Sequence, residues 1–264
     1  MAKINRNIKI KKDIRKFWDD KAKEYQQQER ATSPDVIDRK LEIENIVKYI
    51  KNNTKVLDIG CGNGYSTIEF AKMKNVKITG VDYSDEMIKH ANIALGKLEN
   101  KLQRRIRFHV EDVLRMDSKE KFDAVVTCRC LINLVNFDEQ KQAIKKILGV
   151  LKKGGLYIMC EITLDGLNKI NSMRKLVGLN EISMKWHNQY FNEKLLLNFL
   201  KQYFQILEIN NFESLYYIAS RVINAKLTPK GKEPDYLSEI NKIAAKLPSV
   251  GDYGSTKIFL LKKK

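Results

Sequence analysis

The sequence predicts an α/β protein with a seven-stranded, mostly parallel sheet and helices on both of its faces. From Lys55 onward, short runs rich in Val and Ile alternate with amphipathic segments, which is the order of strands and helices in a parallel sheet. These runs lack polar alternation, as is typical of strands buried on both faces. Seven runs fit the pattern: KVLDIG (55–60), VKITGVD (76–82), IRFHVED (106–112), FDAVVTC (122–128), GLYIMCEI (155–162), FQILEINNF (204–212) and STKIFLLKKK (255–264).

The chain of 264 residues is expected to form a single domain over residues 1–264, with helices added at both ends of the sheet. Apolar side chains at helical spacing predict an N-terminal helical cap over residues 10–50. Residues 55–212 form the predicted core. The pattern of residues 213–254 predicts a helical insertion, and that of residues 255–264 predicts the last strand.

The chain is strongly basic, with 49 Lys and Arg against 32 Asp and Glu and a formal net charge of +17. Such a surface attracts phosphate, which leaves open a nucleic acid, a nucleotide-linked substrate or a membrane. The lysines are scattered along the chain, often beside Glu or Asp, and arginines that could grip phosphate in a bidentate manner are few. This distribution favours an ordinary lysine-rich surface.

Two features of the sequence predict a cytoplasmic protein. No stretch approaches the ~18 apolar residues that cross a bilayer, and the N-terminal MAKINRNIKIKKD lacks the apolar segment of a signal peptide. The four cysteines form no CxxC pair and only three histidines are present. We therefore expect neither a disulfide nor a metal site.

The segment VLDIGCGNGYST, residues 56–67, places three glycines directly after the first predicted strand. Glycine permits a sharp turn and the close approach of a ligand to the backbone, and ligands of open parallel sheets bind past the carboxyl ends of the strands. The order Gly60-x-Gly62-x-Gly64 differs from the G-x-G-x-x-G of dinucleotide sites. A P-loop is excluded as well, because no Gly-Lys-Ser/Thr follows.

Acidic residues end the next two predicted strands. Asp82 can accept hydrogen bonds from both hydroxyls of a ribose, and Asp112 can accept one from an adenine amine. With the glycine turn, these acids indicate a site for an adenosine without a pyrophosphate.

Five stretches resemble the class I S-adenosylmethionine-dependent methyltransferases, in that family's order and spacing: VLDIGCGNG, GVDYSDEMI, VEDV, FDAVVTCRCLINL and VLKKGGLYI. The opening FWDDKAKEY is similar to the lead of many small-molecule members. The resemblance covers roughly residues 10–212. It implies a Rossmann-like fold, methyltransferase activity and S-adenosyl-L-methionine as cofactor.

The resemblance assigns the cofactor to side chains at the strand ends. Asp58 and the backbone of Gly60 and Gly62 would hold its amino-acid part, Asp82 its ribose. Other residues would flank the adenine or lie under the methionyl chain, and Tyr25 would close over the cofactor or be a plain core aromatic. The predicted cofactor-binding residues are Tyr25, Asp58, Gly60, Cys61, Gly62, Asp82, Tyr83, Met87, Asp112, Val113, Thr127 and Cys128.

Transfer of a methyl group to a hydroxyl requires a base. The candidate catalytic residues are His187, in WHNQY after the fifth strand, and Glu161, at the end of that strand; docking of the next helix and bracing of a loop are their alternative roles. The insertion would form a lid over the active site. Its Arg221 could bind an anionic substrate or form an exposed ion pair. The predicted substrate-binding residues are Arg129, Trp186, Asn188, Tyr190, Tyr216, Tyr217 and Arg221.

The sequence favours O-methylation of a small polar or anionic metabolite, such as a nucleotide-linked sugar or a bacterial capsule or cell-surface precursor. The net charge supports an RNA methyltransferase as the alternative, although no RNA-binding module is appended, and RCLINL lacks the N/D-P-P-Y motif of nucleic-acid N-methyltransferases. A third hypothesis is an inactive cofactor-binding module. The sequence predicts no oligomeric state.

Overall fold

The computed structural model describes residues 2–264, with side chains from Asn7 onward; Met1 of the predicted single domain lies outside the described residues. One sheet of seven strands, in the order β3-β2-β1-β4-β5-β7-β6, forms its centre. The strands are β1 Lys55–Ile59, β2 Lys77–Asp82, β3 Ile106–Val110, β4 Phe122–Cys128, β5 Leu151–Ile162, β6 Phe204–Asn210 and β7 Thr256–Lys263.

Strands β1 to β5 are parallel, and β7 runs antiparallel between β5 and β6. The strand order reverses at β1, which pairs with β2 on one side and β4 on the other. In an open sheet the connections diverge at this point and leave a crevice past the carboxyl ends of the strands. The predicted fold class, a mostly parallel seven-stranded sheet, is confirmed.

Helices cover both faces of the sheet. The helices are α1 Ala2–Tyr25, α2 Val36–Val47, α3 Tyr65–Met73, α4 Asp85–Gly96, α5 Asn100–Gln103, α6 Phe137–Val150, α7 Leu164–Leu176, α8 Glu193–Leu200, α9 Ser214–Ile218, α10 Ala225–Leu227 and α11 Glu239–Ala244. A π-helical segment, Ala219–Asn224, joins α9 to α10. Among the described helices, none is both long and apolar enough to cross a bilayer.

Alternate side chains of each central strand enter two separate hydrophobic cores. In β4, Val125 packs into one core, with Leu57 of β1, whereas Val126 packs into the other with Val56. All four side chains are at most 2% exposed. Burial on both faces explains why the strand runs of the sequence are continuously apolar.

Hydrogen bonds tie the N-terminal helices to the glycine turn and the insertion to the N-terminal helices. The Asn63 amide in the glycine turn donates to the carbonyl oxygens of Gln26 and Gln28, each at 2.9 Å, and so fixes the end of α1 above the turn. The Tyr216 hydroxyl in α9 donates to Asp35 Oδ1, just before α2, at 2.7 Å. The division into cap, core and insertion stays a prediction, although helices occupy both outer segments.

Candidate active site

A cavity of about 390 Å³ lies at the carboxyl ends of the strands, where the strand order reverses. Asp58 at the end of β1, Asp82 at the end of β2 and Cys128 at the end of β4 line its floor. Side chains of α1, α2, the segment after α7 and the insertion form its walls. The core of the fold therefore supplies one side of the cavity and the helical additions the other.

The glycine turn forms part of this floor. Gly60 and Gly62 line the cavity with φ values of +75° and +56°, a region that side-chain-bearing residues rarely adopt. A Cβ on Gly60 would lie 2.4 Å from Cys130 Sγ, and one on Gly62 would lie 2.9 Å from Thr32 Cγ2. The turn thus needs glycine at both positions, and its bare backbone is open to a ligand in the cavity.

Asp82 faces the cavity with both carboxylate oxygens already fixed by the backbone. The Gly62 N–H donates to Oδ2 and the Ser84 N–H donates to Oδ1, each at 2.9 Å. Burial raises the pKa of Asp82 to about 6, against the opposing effect of these two donors. Each oxygen keeps a further lone pair, so the pair of oxygens can accept from two neighbouring hydroxyls.

Asp58 lies deeper in the floor and accepts a hydrogen bond from the Thr67 hydroxyl. Burial raises the pKa of Asp58 to about 6, while the Thr67 hydroxyl and Arg39 favour its charged form. A carboxylate at this position can hold a cationic group of a ligand.

Arg39 of α2 also lines the cavity and was missed by the sequence analysis. Its guanidinium is buried and donates to the hydroxyls of Thr32 and Ser66, but no carboxylate of the described residues lies within ion-pair distance. The signal in the sequence is a set of four charged residues at helical spacing, from the residue before α2 into its second turn, all of which the structure buries. They are Asp35, Asp38, Arg39 and Glu42.

Four of the twelve predicted cofactor-binding residues lie outside the cavity lining. Asp112 is two residues past the end of β3 and accepts from the Leu114 N–H at 2.9 Å. Val113 packs into the core, and Thr127 shares a hydrogen bond with the buried Tyr157 hydroxyl at 2.9 Å. Tyr25 at the end of α1 is flanked instead by two cations, Lys21 and Arg30.

His187 lines the cavity, as the catalytic prediction requires. Its ring stacks on Phe17 of α1 at a centroid distance of 4.4 Å, and its buried Nδ1 has no hydrogen-bond partner in the described chain. Burial, together with nearby Lys185, lowers the pKa of His187 to about 4. The imidazole is therefore neutral at pH 7 and can accept a proton. Trp186 packs against the same rings but is 62% exposed and lies outside the lining.

Glu161, the second catalytic candidate, does not reach the cavity. Its fully buried carboxylate accepts from the backbone N–H groups of Cys130, Leu131 and Ile132 at 3.2, 3.0 and 3.4 Å. Burial raises the pKa of Glu161 to about 7, while these donors oppose the shift. These contacts are those of an acid that braces the turn after β4, which is the alternative role of this residue; its role as a base stays a prediction.

The two arginines predicted to bind substrate line the cavity but already hold carboxylates. Arg221 pairs with Asp35 at 2.8 Å and lies over the Tyr217 ring, 4.7 Å from its centroid. Arg129 pairs with Glu42 at 2.9 Å. Tyr217, Asn188 and Tyr190 line the cavity as predicted, whereas Tyr216 is buried beneath it.

Lys185 is a second lining residue that the sequence analysis missed, although it directly precedes WHNQY. No carboxylate of the described residues lies within ion-pair distance of its ammonium group. Lys185 is exposed to solvent. Partial desolvation at the cavity wall lowers its pKa, and the cations Arg129, Arg221 and Lys21 lower it further. This wall of the cavity therefore carries a positive charge without a partner in the described protein, and suits an anionic ligand.

Comparison with known proteins settles the family. Residues 50–220 match the family model described as a methyltransferase domain. The chain belongs to the class I S-adenosylmethionine-dependent methyltransferases. The family and the cofactor that the resemblance of the five stretches implied are thus confirmed, and the small-molecule type is consistent with the match.

The most similar relatives include two proteins named carboxy-S-adenosyl-L-methionine synthase. That of Campylobacter fetus is 33% identical over 159 residues, which are 56% of this chain and 65% of the relative. That of Idiomarina loihiensis is 25% identical over 120 residues, 44% of this chain and 48% of the relative. The chain thus spans about half to two thirds of the length of these relatives.

Solved structures share the fold. The N-methyltransferase NodS of Bradyrhizobium japonicum, solved with S-adenosyl-L-homocysteine, aligns with a TM-score of 0.55 and 14% identity. The alignment covers 89% of this chain and 90% of NodS. At this identity the likeness concerns the fold alone.

Proposed function

We propose that this methyltransferase transfers a methyl group to a hydroxyl of a small, polar, anionic metabolite. One observation carries the proposal: a single cavity joins the glycine turn and Asp82 to a neutral imidazole, His187, and an unpaired cation, Lys185. The glycine turn and Asp82 can bind the cofactor. The imidazole can accept the proton of a substrate hydroxyl, and the cation can bind an anionic group of the substrate.

S-adenosylmethionine supplies an electrophilic methyl group when it is bound. The residues present fit it: the glycine floor has no room for a Cβ, and Asp82 offers lone pairs for two ribose hydroxyls. Asp58 would hold the amine of the methionyl part, and Arg39 would hold the methionyl carboxylate. That carboxylate would give the Arg39 guanidinium the partner that it otherwise lacks.

The size of the cavity supports a small-molecule substrate. Its volume of about 390 Å³ falls within the range of roughly 300–1,000 Å³ that is common for small-molecule sites. The insertion closes one wall with Tyr217 and Tyr236, and the side chains of α1 close another. A polymer would have to displace these walls to reach the floor.

His187 is placed to take the proton of the substrate hydroxyl. An oxygen that is gaining a methyl group becomes strongly acidic, so a base of low pKa is sufficient. The aromatic rings of Phe17 and Trp18 around the imidazole limit access of water to it. Positioning of the hydroxyl in line with the methyl group lowers the activation barrier further.

Substitution His187→Gln should lower turnover by about 10²-fold or more and leave cofactor affinity unchanged. In the unsubstituted enzyme, kcat should be constant above about pH 5 and fall as the pH drops through about 4, since the protonated imidazole accepts no proton. Because unfolding restores the ordinary, higher pKa of histidine, stability should fall earlier, as the pH drops from about 6.5 to about 4. Melting curves at each pH separate this effect from the loss of kcat. His109→Gln, whose side chain is exposed on β3, is the matched control. Equal turnover in both variants would remove His187 as the base.

Substitution Lys185→Met should raise KM for an anionic substrate by roughly tenfold to a hundredfold, because a charge-assisted hydrogen bond is worth about 1.5–3 kcal/mol. The dissociation constant for the cofactor should not change. Lys89→Met, on the exposed side of α4, is the control. Steady-state kinetics with an unchanged KM would show that Lys185 does not hold the anion.

The experiment that tests the function uses methyl-labelled S-adenosylmethionine with two pools from source cells, the small-molecule extract and total RNA. We expect S-adenosylhomocysteine to form and the label to appear in an anionic small molecule. Label in nuclease-sensitive RNA would instead support the RNA methyltransferase. Absence of turnover with both pools would support an inactive cofactor-binding module.

A second candidate function comes from the relatives named carboxy-S-adenosyl-L-methionine synthase. The unpaired Lys185, on the same wall of the cavity as the carboxylate-paired Arg129 and Arg221, could hold the carboxylate of such a reaction's substrate. Mass spectrometry of the cofactor in the same incubation distinguishes the two. A cofactor heavier by a carboxyl group supports the synthase, and S-adenosylhomocysteine supports the methyltransferase.

A further inference from the structure

Three side chains with metal-ligating atoms converge at the carboxyl ends of β4 and β5. Cys128 and Cys160 are directly opposite in the parallel register of these strands, so both thiols lie on the same face of the sheet. Glu42 approaches that face from α2. A carboxylate oxygen of Glu42 and the two Sγ atoms all lie within 4.8 Å of one another.

The Glu42 carboxylate is incompletely satisfied. Its Oε2 accepts from the Arg129 guanidinium at 2.9 Å, whereas its buried Oε1 meets no donor at hydrogen-bonding geometry within the described part of the chain. The neighbouring Cys128 thiol, a weak donor, favours the charged form of the carboxylate. Glu42 is only 1% exposed, and Cys160 is fully buried. A buried carboxylate oxygen without a donor is costly, which points to a missing partner rather than to a packing role alone.

We propose that Glu42, Cys128 and Cys160 bind a thiophilic divalent cation of the Zn²⁺ type. Two thiolates with one carboxylate favour Zn²⁺ over Mg²⁺ or Ca²⁺, which prefer oxygen ligands alone. Ligands of a tetrahedral zinc ion lie roughly 3.5–4 Å apart, given Zn–S bonds of about 2.3 Å. The distances between the three atoms, at most 4.8 Å now, would therefore shorten by no more than about 1.3 Å around the ion.

The charges balance in this site. The ion brings two positive charges and the two thiols release their protons to solvent, so the net charge of the cluster does not change. Arg129 continues to neutralise Glu42 through Oε2, which leaves Oε1 for the ion. The neighbouring guanidinium is thus compatible with a bound cation.

Three protein ligands leave a fourth position open, as in catalytic rather than structural zinc sites. Glu42 and Cys128 both line the cavity, so a ligand bound in the cavity could reach the ion. An oxygen or sulfur atom of a ligand bound there would have its pKa lowered by the ion. The site adds metal binding to the proposed methyl transfer and does not depend on it.

Cobalt(II) substitutes for zinc and reports thiolate ligands by an ultraviolet charge-transfer band. The reduced, metal-free full chain is titrated with Co²⁺ alone, without cofactor or substrate. We expect the band to saturate at one Co²⁺ per chain, to disappear on addition of Zn²⁺, and to be absent from Cys128→Ser and Cys160→Ser. Glu42→Gln should weaken Co²⁺ binding at least tenfold.

Cys61→Ser and Cys130→Ser are the matched controls, since these are the other free thiols of the described chain. Absence of the band in the unsubstituted protein would overturn the proposal, as would a band that survives in both Cys128→Ser and Cys160→Ser or disappears in the controls. If the buried Cys160→Ser variant fails to fold, Cys128→Ser, whose side chain is partly exposed, decides the outcome. Because no cofactor is present, this result is independent of the proposed function.

Discussion

Substitution Asp82→Asn is expected to weaken S-adenosylmethionine binding roughly a hundredfold or more, because two hydrogen bonds to a charged carboxylate are worth about 1.5–3 kcal/mol each. The amide group would also turn a donor toward the Gly62 or Ser84 N–H, each of which now donates to a carboxylate oxygen at 2.9 Å. Isothermal titration calorimetry of the two proteins measures the difference directly.

The pH dependence of binding gives a second signature of Asp82. Its pKa is raised to about 6 by burial, so in the unsubstituted protein cofactor affinity should fall as the pH drops below about 6 and the carboxylate becomes protonated. Asp58 titrates in the same range, so Asp82→Asn should remove only part of this dependence. If the pH dependence of cofactor affinity is unchanged in Asp82→Asn, Asp82 is not the residue that accepts from the ribose.

Asp112→Asn is the control with the same chemical change. Asp112 lies beyond the end of β3, outside the cavity, and is partly exposed beside Arg115. Cofactor affinity should therefore be unchanged in this variant. A loss as large as that of Asp82→Asn would restore the role in adenine binding that the family resemblance gave to Asp112.

The fold could be predicted from sequence because its signals are local. Each strand is a short apolar run, and the glycines at positive φ mark the turn after β1 wherever the rest of the chain lies. Residues at the strand ends, such as Asp58 and Asp82, are placed by the same signals. Sheet topology alone brings them to one edge.

The remainder of the site depends on packing between distant segments, which local patterns do not encode. Arg39 faces the cavity because α2 packs beside the glycine turn, and Lys185 because the segment after α7 folds back over the strand ends. Both positions look like ordinary surface charges in a chain with 49 Lys and Arg. The pairing of Cys128 with Cys160 likewise depends on the register of β4 against β5, which the cysteine spacing does not reveal.

Glu161 lies at a strand end, where a catalytic acid or base is expected, but its hydrogen bonds are made to the backbone of the turn after β4. Substitution Glu161→Ala should lower the free energy of unfolding by about 3 kcal/mol or more, since three buried N–H groups would lose their acceptor at about 1–3 kcal/mol each, partly offset by relaxation. Urea unfolding monitored by circular dichroism measures the loss. A change below about 0.5 kcal/mol, the range of neutral surface substitutions, would contradict the bracing role.

Glu161→Gln separates bracing from catalysis, because it keeps the shape and one acceptor oxygen but cannot take up a proton as a carboxylate does. The oxygen can still accept from the Cys130 and Leu131 N–H groups, as Oε1 does now. We therefore expect a smaller loss of stability than in Glu161→Ala and turnover within a few-fold of the unsubstituted enzyme. A base removed from the reaction would instead lower turnover by about 10²-fold or more. A stable but inactive Glu161→Gln would require the cavity to open toward the end of β5 during the reaction, and would return Glu161 to the role that the sequence suggested.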